Sequence, residues 1–291
     1  MNAIIFHWWN DLIDNVEKDF FNPIILSIAC IRYFDKAISI YVIDLSDNYI
    51  DWLDYSNKLN FKIIKKSKRF QSHVNFNEKS MSRIWDILEV ADYIPEENII
   101  FNDVDVFWIK NPFPLQNSWE KFNCNRNNGV FYFSKNSKLA YKFIELWKER
   151  NLLVMYNEYF RDKFYKRIKF PYSFKTHDEL VCRSIIEDNP ELNTPIHMSE
   201  NSIIFSPVFN PKNIHFIRAF CGTENRISII LSIKEIKNMI ESVLGYDFYG
   251  KNIVKKTFSV HEITKRNVIK YLCSFGGNYE KAINYGVGKI C

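Results

Sequence analysis

Asp103 and Asp105 stand one residue apart in the segment FNDVDVFWIKNPFP, residues 101–114. Side chains two apart on a strand share a face but lie about 7 Å from each other. Both carboxylates therefore turn toward one cation only where the backbone departs from regular pleating. Their oxygens suit a hard Mg²⁺ or Mn²⁺ ion, which neutralises a diphosphate as it leaves. A bare D-x-D is weak, but here an apolar strand precedes it and Val104 sits between the acids. Val106, Phe107 and Trp108 continue an apolar element before Asn111–Pro112 turns the chain away. The alternative for the same pair is two strand-end acids that cap local amides.

Other residues are candidates by position. Asp178 and Glu179 are adjacent at the start of a helical pattern, where acids also serve the N-terminal dipole. Trp8, Trp9 and Asn10 follow the first apolar run: an indole there can stack on a nucleobase with Asn10 reaching a ribose, or simply pack in the core. Arg83, near the start of the helix before the D-x-D strand, can contact a diphosphate or stay solvated.

The elements that must position these groups follow from periodicity. Short apolar runs at Ala3–Trp9, Ile38–Ile43, Phe61–Ile64 and Ile99–Phe101 predict strands. Helical spacing between them predicts helices over Phe21–Phe34, Ile50–Leu59 and from Ser80 to Pro95. This βαβαβαβ order implies an α/β fold with a mostly parallel sheet and helices on both faces, and such sheets bind ligands beyond the carboxyl ends of their strands. Asp103 and Trp8 are both at such ends. The second half is less regular. Its expected elements are a strand over Val130–Ser134, helices over Lys138–Arg150 and Asp178–Glu187, and strands near Ile203–Phe205 and Ile214–Ile217. Ser232 and Glu235 form a capping box for a helix that Gly245 closes, and Ser259 with Glu262 opens another. The domain reading is one unit over 1–245, with a basic helical extension over 246–291 packed on it.

Four segments in order resemble a known family. DVDVFWIKNPFP is similar to the D-x-D segment of the nucleotide-diphospho-sugar transferases that include plant cell-wall arabinosyl- and xylosyltransferases. NNGVFYFSKNSKLAYKFIELW (127–147) resembles that family's N-x-G-aromatic strand and the helix after it. THDELVCRSI (176–185) resembles its D-Q segment, and IHFIRAFCGTENRIS (214–228) its late His and Cys segment. The likeness spans about residues 80–230 and implies a GT-A type, Rossmann-like glycosyltransferase that retains anomeric configuration. It implies Asp103, Asp105 and His215 as ligands of Mn²⁺ or Mg²⁺, with Asp103 also on the diphosphate. Asn127 and Gly129 would lie against the donor sugar, although an Asn-Gly turn is the plain reading of the same residues. Asp178 would take sugar hydroxyls and Glu179 would face the anomeric carbon. Glu179 stands where Gln is usual, and a carboxylate there can stabilise an oxocarbenium-like centre or act as nucleophile. Arg226 stands where Lys is usual and would grip the leaving diphosphate as a fork.

Composition bounds the rest. With 291 residues, 47% of them hydrophobic, the chain can bury a large core. Residues 246–291 carry eight basic and three acidic side chains, which accounts for the whole net charge of +5. The dispersed remainder shows no basic stripe of the kind nucleic-acid binders carry. The tail can reach a membrane surface or an anionic acceptor, or form a solvated helical face. Six scattered cysteines without a CxxC pair argue against a zinc knuckle or a disulfide framework and fit a reducing, cytoplasmic setting. No secretion signal or spanning segment is expected. The donor is expected to be a nucleotide sugar such as a UDP-sugar. The acceptor stays open among protein, glycan, lipid and modified nucleic acid, with Tyr156–Tyr172 and the basic tail as candidate acceptor-facing parts. A nucleotidyltransferase would also pair acids around a metal-diphosphate, but would want a Gly-rich phosphate loop early in the chain, and none is there. A non-catalytic sugar-nucleotide or glycan binding module would need fewer metal ligands.

Overall fold

The computed structural model describes residues 1–9, 21–46, 52–71, 77–113, 123–124, 129–168, 178–192, 216–218 and 234–245. The opening run NAIIFHW has apolar residues at both alternations, as a strand covered on two faces requires. It forms β1 (Asn2–Trp8), all but its first residue buried. There follow α1 (Phe21–Phe34), β2 (Ser39–Asp44), α2 (Leu53–Leu59), β3 (Lys62–Lys65), α3 (Glu78–Tyr93) and β4 (Asn98–Asn102). The second half adds β5 (Val106–Trp108), β6 (Asn123–Cys124), β7 (Val130–Ser134), α4 (Lys138–Tyr156), α5 (Glu158–Ile168), α6 (Asp178–Asp188), a 3-10 turn at Pro190–Leu192, β8 (Phe216–Arg218) and α7 (Lys234–Leu244).

The main sheet has the order β3-β2-β1-β4-β7-β6. Pairings among β3, β2, β1 and β4 are parallel, and β7 and β6 add antiparallel partners at the β4 side. The fold class is thus the expected mostly parallel α/β sheet. β5 and β8 form a separate antiparallel ribbon. Strand side chains alternate between two apolar layers. Ile4, Phe6, Val42 and Ile100 join α1, β5 and α7, while Ala3, Ile5, Ile43 and Phe101 join α3, α4 and α6. His7, odd in that alternation, belongs to the α3 side. Each fully buried Ile or Phe contributes about 1.5–3 kcal/mol relative to exposure, so β1 is pinned from both faces.

Local signals set the helix ends. Asn77 caps α3, its side chain accepting from the Ser80 N–H at 2.9 Å, and Pro95 follows the helix. Ser137 caps α4 through the Ala140 N–H at 3.2 Å. Gly245, at φ +78°, takes the left-handed conformation that ends α7, where Lys58 donates to the Leu244 carbonyl at 2.5 Å. Two expectations fell short. α4 continues past Arg150 to Tyr156 because Val154 and Met155 extend its buried stripe. α5 lies in an aromatic and basic stretch for which no element was expected; Phe164 and Tyr165 are buried on its inner face, with Glu158 in its first turn and Lys166 and Arg167 in its last. The expected strand near 203–205, the capping residues Ser232 and Ser259 and the extension over 246–291 lie outside the described residues. Among those residues no helix is long and apolar enough to cross a membrane.

Candidate active site

The two acids of the D-x-D segment sit where β4 ends. The Asp103 N–H donates to the Gly129 carbonyl at 2.7 Å, and the Val106 N–H donates to the Asp103 carbonyl at 3.1 Å, closing a reverse turn over 103–106. The neighbouring Asn102 locks that turn from below. Its side-chain amide donates to the Asp103 carbonyl at 2.9 Å and to Ser27 Oγ at 3.2 Å, and its carbonyl accepts from Trp108 Nε1 at 2.8 Å. Ser27 Oγ in turn donates to the Val106 carbonyl at 2.5 Å. Regular pleating stops at this point, as convergence of two carboxylates demands. Asp103 and Asp105 are 9% and 6% exposed, so a low-dielectric surround strengthens whatever they hold.

Arg83, on the second turn of α3, joins two of the predicted acids. Its Nη2 lies 3.4 Å from Asp103 Oδ1 and its Nε 3.4 Å from Asp178 Oδ2. The guanidinium also lies over the Phe101 ring, 4.9 Å from its centre, on the strand leading to Asp103. The second Asp178 oxygen accepts from Ser80 Oγ at 2.6 Å, and the Asp178 N–H donates to the same hydroxyl at 3.2 Å. One turn of α3, from Ser80 to Arg83, therefore fixes the N-terminus of α6 against the end of β4. The solvated reading of Arg83 does not hold, since its side chain is 7% exposed. Asp178 is 1% exposed and acts as the deep anchor of this cluster.

A second polar cluster backs the first. His7 Nε2 is 3.0 Å from Asp86 Oδ2, with the two side chains 0% and 2% exposed. Ser82 Oγ donates to the same oxygen at 2.8 Å, and Arg69 Nη2 lies 3.5 Å from Oδ1. Lys66 and Arg69 are shared with Glu89. Burial pushes the imidazole below its ordinary 6.5, against the raising effect of Asp86. Burial alone would raise the Asp86 carboxyl, but the hydrogen bonds and charges of His7, Ser82 and Lys66 outweigh it and hold the group low. The pair is best read as a neutral imidazole donating its Nε2–H to a carboxylate, because both shifts favour that state. Arg83 and Asp178 also act on the His7 charge, so the two clusters lie within electrostatic reach.

The remaining candidates divide. Trp8 is 1% exposed, in the apolar layer with Trp52 edge-on at 5.0 Å, so its ring packs in the core and presents no open face to a base. Gly129 is beside Asp103, its carbonyl taking the Asp103 N–H. Glu179 is the second residue of α6, directly after the anchored Asp178. Asn10, Asn127, His215 and Arg226 lie outside the described residues. In the ribbon, Phe216 pairs with Trp108 and Arg218 with Val106, so the C-terminal end of β8 is beside Asp105. Among the described residues no three metal-ligating side chains gather. Two carboxylates on a locked turn nonetheless offer the hard oxygen donors that Mg²⁺ and Mn²⁺ take. Sequence reasoning missed Asn102, Ser27, Ser80, His7 and Asp86. Only Asn102, next to the D-x-D, and Ser80, three residues after a capping Asn, carried a local signal.

No family profile matches the chain, and no curated protein matches it. Among solved structures it is similar to mouse xyloside xylosyltransferase 1 in its apo form, at 10% identity over 76% of this chain and 98% of that one, TM-score 0.46. It is also similar to the galactosyltransferase LgtC in complex with donor and acceptor sugar analogs, at 10% identity over 85% and 99%, TM-score 0.43. A third is a glycosyltransferase involved in glycosylating the major capsid of PBCV-1, at 12% identity over 82% and 98%, TM-score 0.39. All three are glycosyltransferases. At these identities and TM-scores the likeness carries no argument about activity, which has to rest on the residues.

Proposed function

We propose that the chain is a metal-dependent glycosyltransferase that uses a nucleotide-diphosphate sugar, such as a UDP-sugar, as donor and retains anomeric configuration. The observation that carries the reading is the Arg83 bridge, which draws Asp103 of the D-x-D turn and Asp178 of α6 into one buried cluster at the carboxyl edge of a parallel sheet. In such sheets that edge is the ligand side.

Asp103 and Asp105 would hold Mn²⁺ or Mg²⁺, an ion that neutralises charge on the diphosphate when bound. The chain's own groups do the rest. Arg83 keeps the Asp103 carboxylate from rotating away and leaves positive charge next to the diphosphate. Asp178 accepts from Ser80 Oγ and faces Arg83, which fixes the start of α6, and the resemblance assigns it to the donor-sugar hydroxyls. Glu179, next along that helix, is the group we assign to the anomeric carbon, where its charge stabilises the transition state more than the ground state. Asn10, Asn127, Gly129 and Arg226 are proposed donor contacts, with His215 kept as third metal ligand on sequence resemblance alone. A cytoplasmic setting is proposed in keeping with the buried thiol of Cys30; burial pushes it far above its usual value, so it stays protonated and unreactive.

The test is release of free UDP from a panel of UDP-sugars, with and without Mn²⁺, no acceptor being needed. Wild type should hydrolyse at least one donor only with the cation, and Asp105→Asn should lose at least about 100-fold in rate, about 2.7 kcal/mol. A folded Asp105→Asn protein at wild-type rate would sink the metal assignment. Binding of donor without any hydrolysis would favour a non-catalytic module.

A further inference from the structure

The layer between α3 and the sheet is apolar, and one directional bond is buried in it. On the α3 side β1 presents Ala3, Ile5 and His7, and α3 packs on that layer with Ile84, Ile87 and Ala91. Apolar contact has no direction, so it tolerates small slides of a helix over a strand. A hydrogen bond does not. The bond from His7 Nε2 to Asp86 Oδ2 is 3.0 Å long and closed to solvent on both sides.

This bond stands one helical turn from the site. Asp86 follows Arg83 by three residues, about 4.5 Å along the axis of α3. Ser82, the residue before Arg83, donates to the same Asp86 oxygen at 2.8 Å. The sheet joins the other ends: β1 and β4 run parallel with Phe6 opposite Asn102, so His7 and Asp103 are the next residues of adjacent chains. His7 thus fastens α3 from beside Asp103, and Arg83 returns from α3 to Asp103 itself. At 3.4 Å each, the two Arg83 contacts are longer than a tight charge-assisted bond, which leaves the His7–Asp86 bond as the firmer fastening.

Stability does not explain the pair. The neutral imidazole leaves Nδ1 buried and without a hydrogen bond among the described residues, and a buried polar atom without a partner costs free energy. Two apolar side chains of similar combined size would fill the same place without that cost. A packing rule broken beside a ligand edge is where a functional role is expected.

We propose that His7 and Asp86 are positioning residues, whose hydrogen bond sets where α3 presents Arg83 to the D-x-D turn. The inference rests on the transferase reading above. With the bond in place, Arg83 holds Asp103 as transfer needs it. Without the bond α3 settles on apolar contacts alone, and a displacement of about 1 Å costs about 100-fold in rate.

The experiment removes the bond from both sides at once. His7→Leu/Asp86→Ala roughly conserves the volume of the pair, leaves Lys66 and Arg69 their contacts with Glu89, and leaves Ser82 its bond to the Lys79 carbonyl. His7→Gln keeps an N–H for Asp86. Mn²⁺-dependent UDP release and thermal midpoints are measured on wild type and both variants. The apolar pair should stay within about 3 °C of the wild-type midpoint. Its donor KM should stay within a few-fold while kcat falls at least about tenfold, and His7→Gln should keep kcat within about threefold of wild type. Arg83→Met should lower the midpoint of the apolar pair by less than half as much as that of wild type, because the two sites are coupled. Three results would overturn the proposal: an apolar pair with wild-type kcat, an equal effect of Arg83→Met in both backgrounds, or an apolar pair that loses its fold, which would make the bond a stability element. Wild type that releases no UDP would end the transferase reading. The Arg83→Met comparison needs no donor and would then decide the positioning role by itself.

Discussion

Replacing Arg83 by Met keeps the aliphatic stem against Phe101 and removes the charge that Asp103 and Asp178 share. Breaking a buried ion pair from one side costs about 3–5 kcal/mol, because a desolvated carboxylate is left behind. Two features place Arg83→Met at the low end. Both contacts are 3.4 Å rather than tight, and Asp178 keeps the Ser80 hydroxyl at 2.6 Å. About 3 kcal/mol is expected, which lowers the thermal midpoint by roughly 6–12 °C at about 2–4 °C per kcal/mol for a chain of this size class. A cation offers Asp103 a substitute partner, so Mn²⁺ should raise the midpoint of Arg83→Met more than that of wild type. A double-mutant cycle with Asp178→Asn should give a coupling of about 1–3 kcal/mol. Differential scanning fluorimetry with and without Mn²⁺ reads all of this. A midpoint shift under about 1 °C, or equal Mn²⁺ stabilisation of both proteins, would show that the bridge does not hold the cluster together.

Three further outcomes are expected. Glu179→Gln should keep donor affinity within a few-fold while turnover falls about 100-fold, about 2.7 kcal/mol at the barrier; a parallel fall in both, measured on one preparation, would make Glu179 a ground-state binder. Acid should destabilise the fold through His7 and Asp86. The neutral imidazole contributes stability that is complete above 6.5 and lost as pH falls toward its lower folded value, and Asp86 contributes stability present above 3.8 that is lost as pH falls through its own depressed value. Thermal midpoints between pH 8 and pH 5 should therefore decline, with a flatter decline in His7→Leu; a midpoint that rises on acidification would reverse the protonation assignment. Gly245→Ala places a Cβ on a backbone at φ +78° with no atom within 4 Å of it, so conformational strain alone should cost about 1 kcal/mol in chemical denaturation.

β1, β2 and β4 were legible because burial on both faces leaves short apolar runs in the sequence. α1 was placed from the sequence with both ends correct. Where the pattern failed, another force decided. α4 outran its expected end because nothing in NLLVMY breaks a helix, and α5 was hidden by the density of aromatic and charged residues that makes one stretch serve both core and surface. The D-x-D turn could be named from sequence, but its lock could not. Ser27, 75 residues before Asn102, is recognisable as its partner only once α1 is laid on the sheet. Likewise His7 read as one position of an apolar run, and nothing in that run announces an acid 79 residues away.

The hydrogen bond between Ser80 and Asp178 spans 98 residues. All six strands of the main sheet lie before residue 135, so the sheet can be complete while α6 is still unmade. Closing so long a loop costs little more than closing one half its length, about 0.6 kcal/mol, but it must wait for the intervening chain. A nascent polypeptide would hold Asp103 and Arg83 together well before Asp178 arrives. The Ser80–Asp178 contact therefore joins this edge late, and a chain that stops before residue 178 would hold the sheet while lacking the anchor that Asp178 supplies to the cluster.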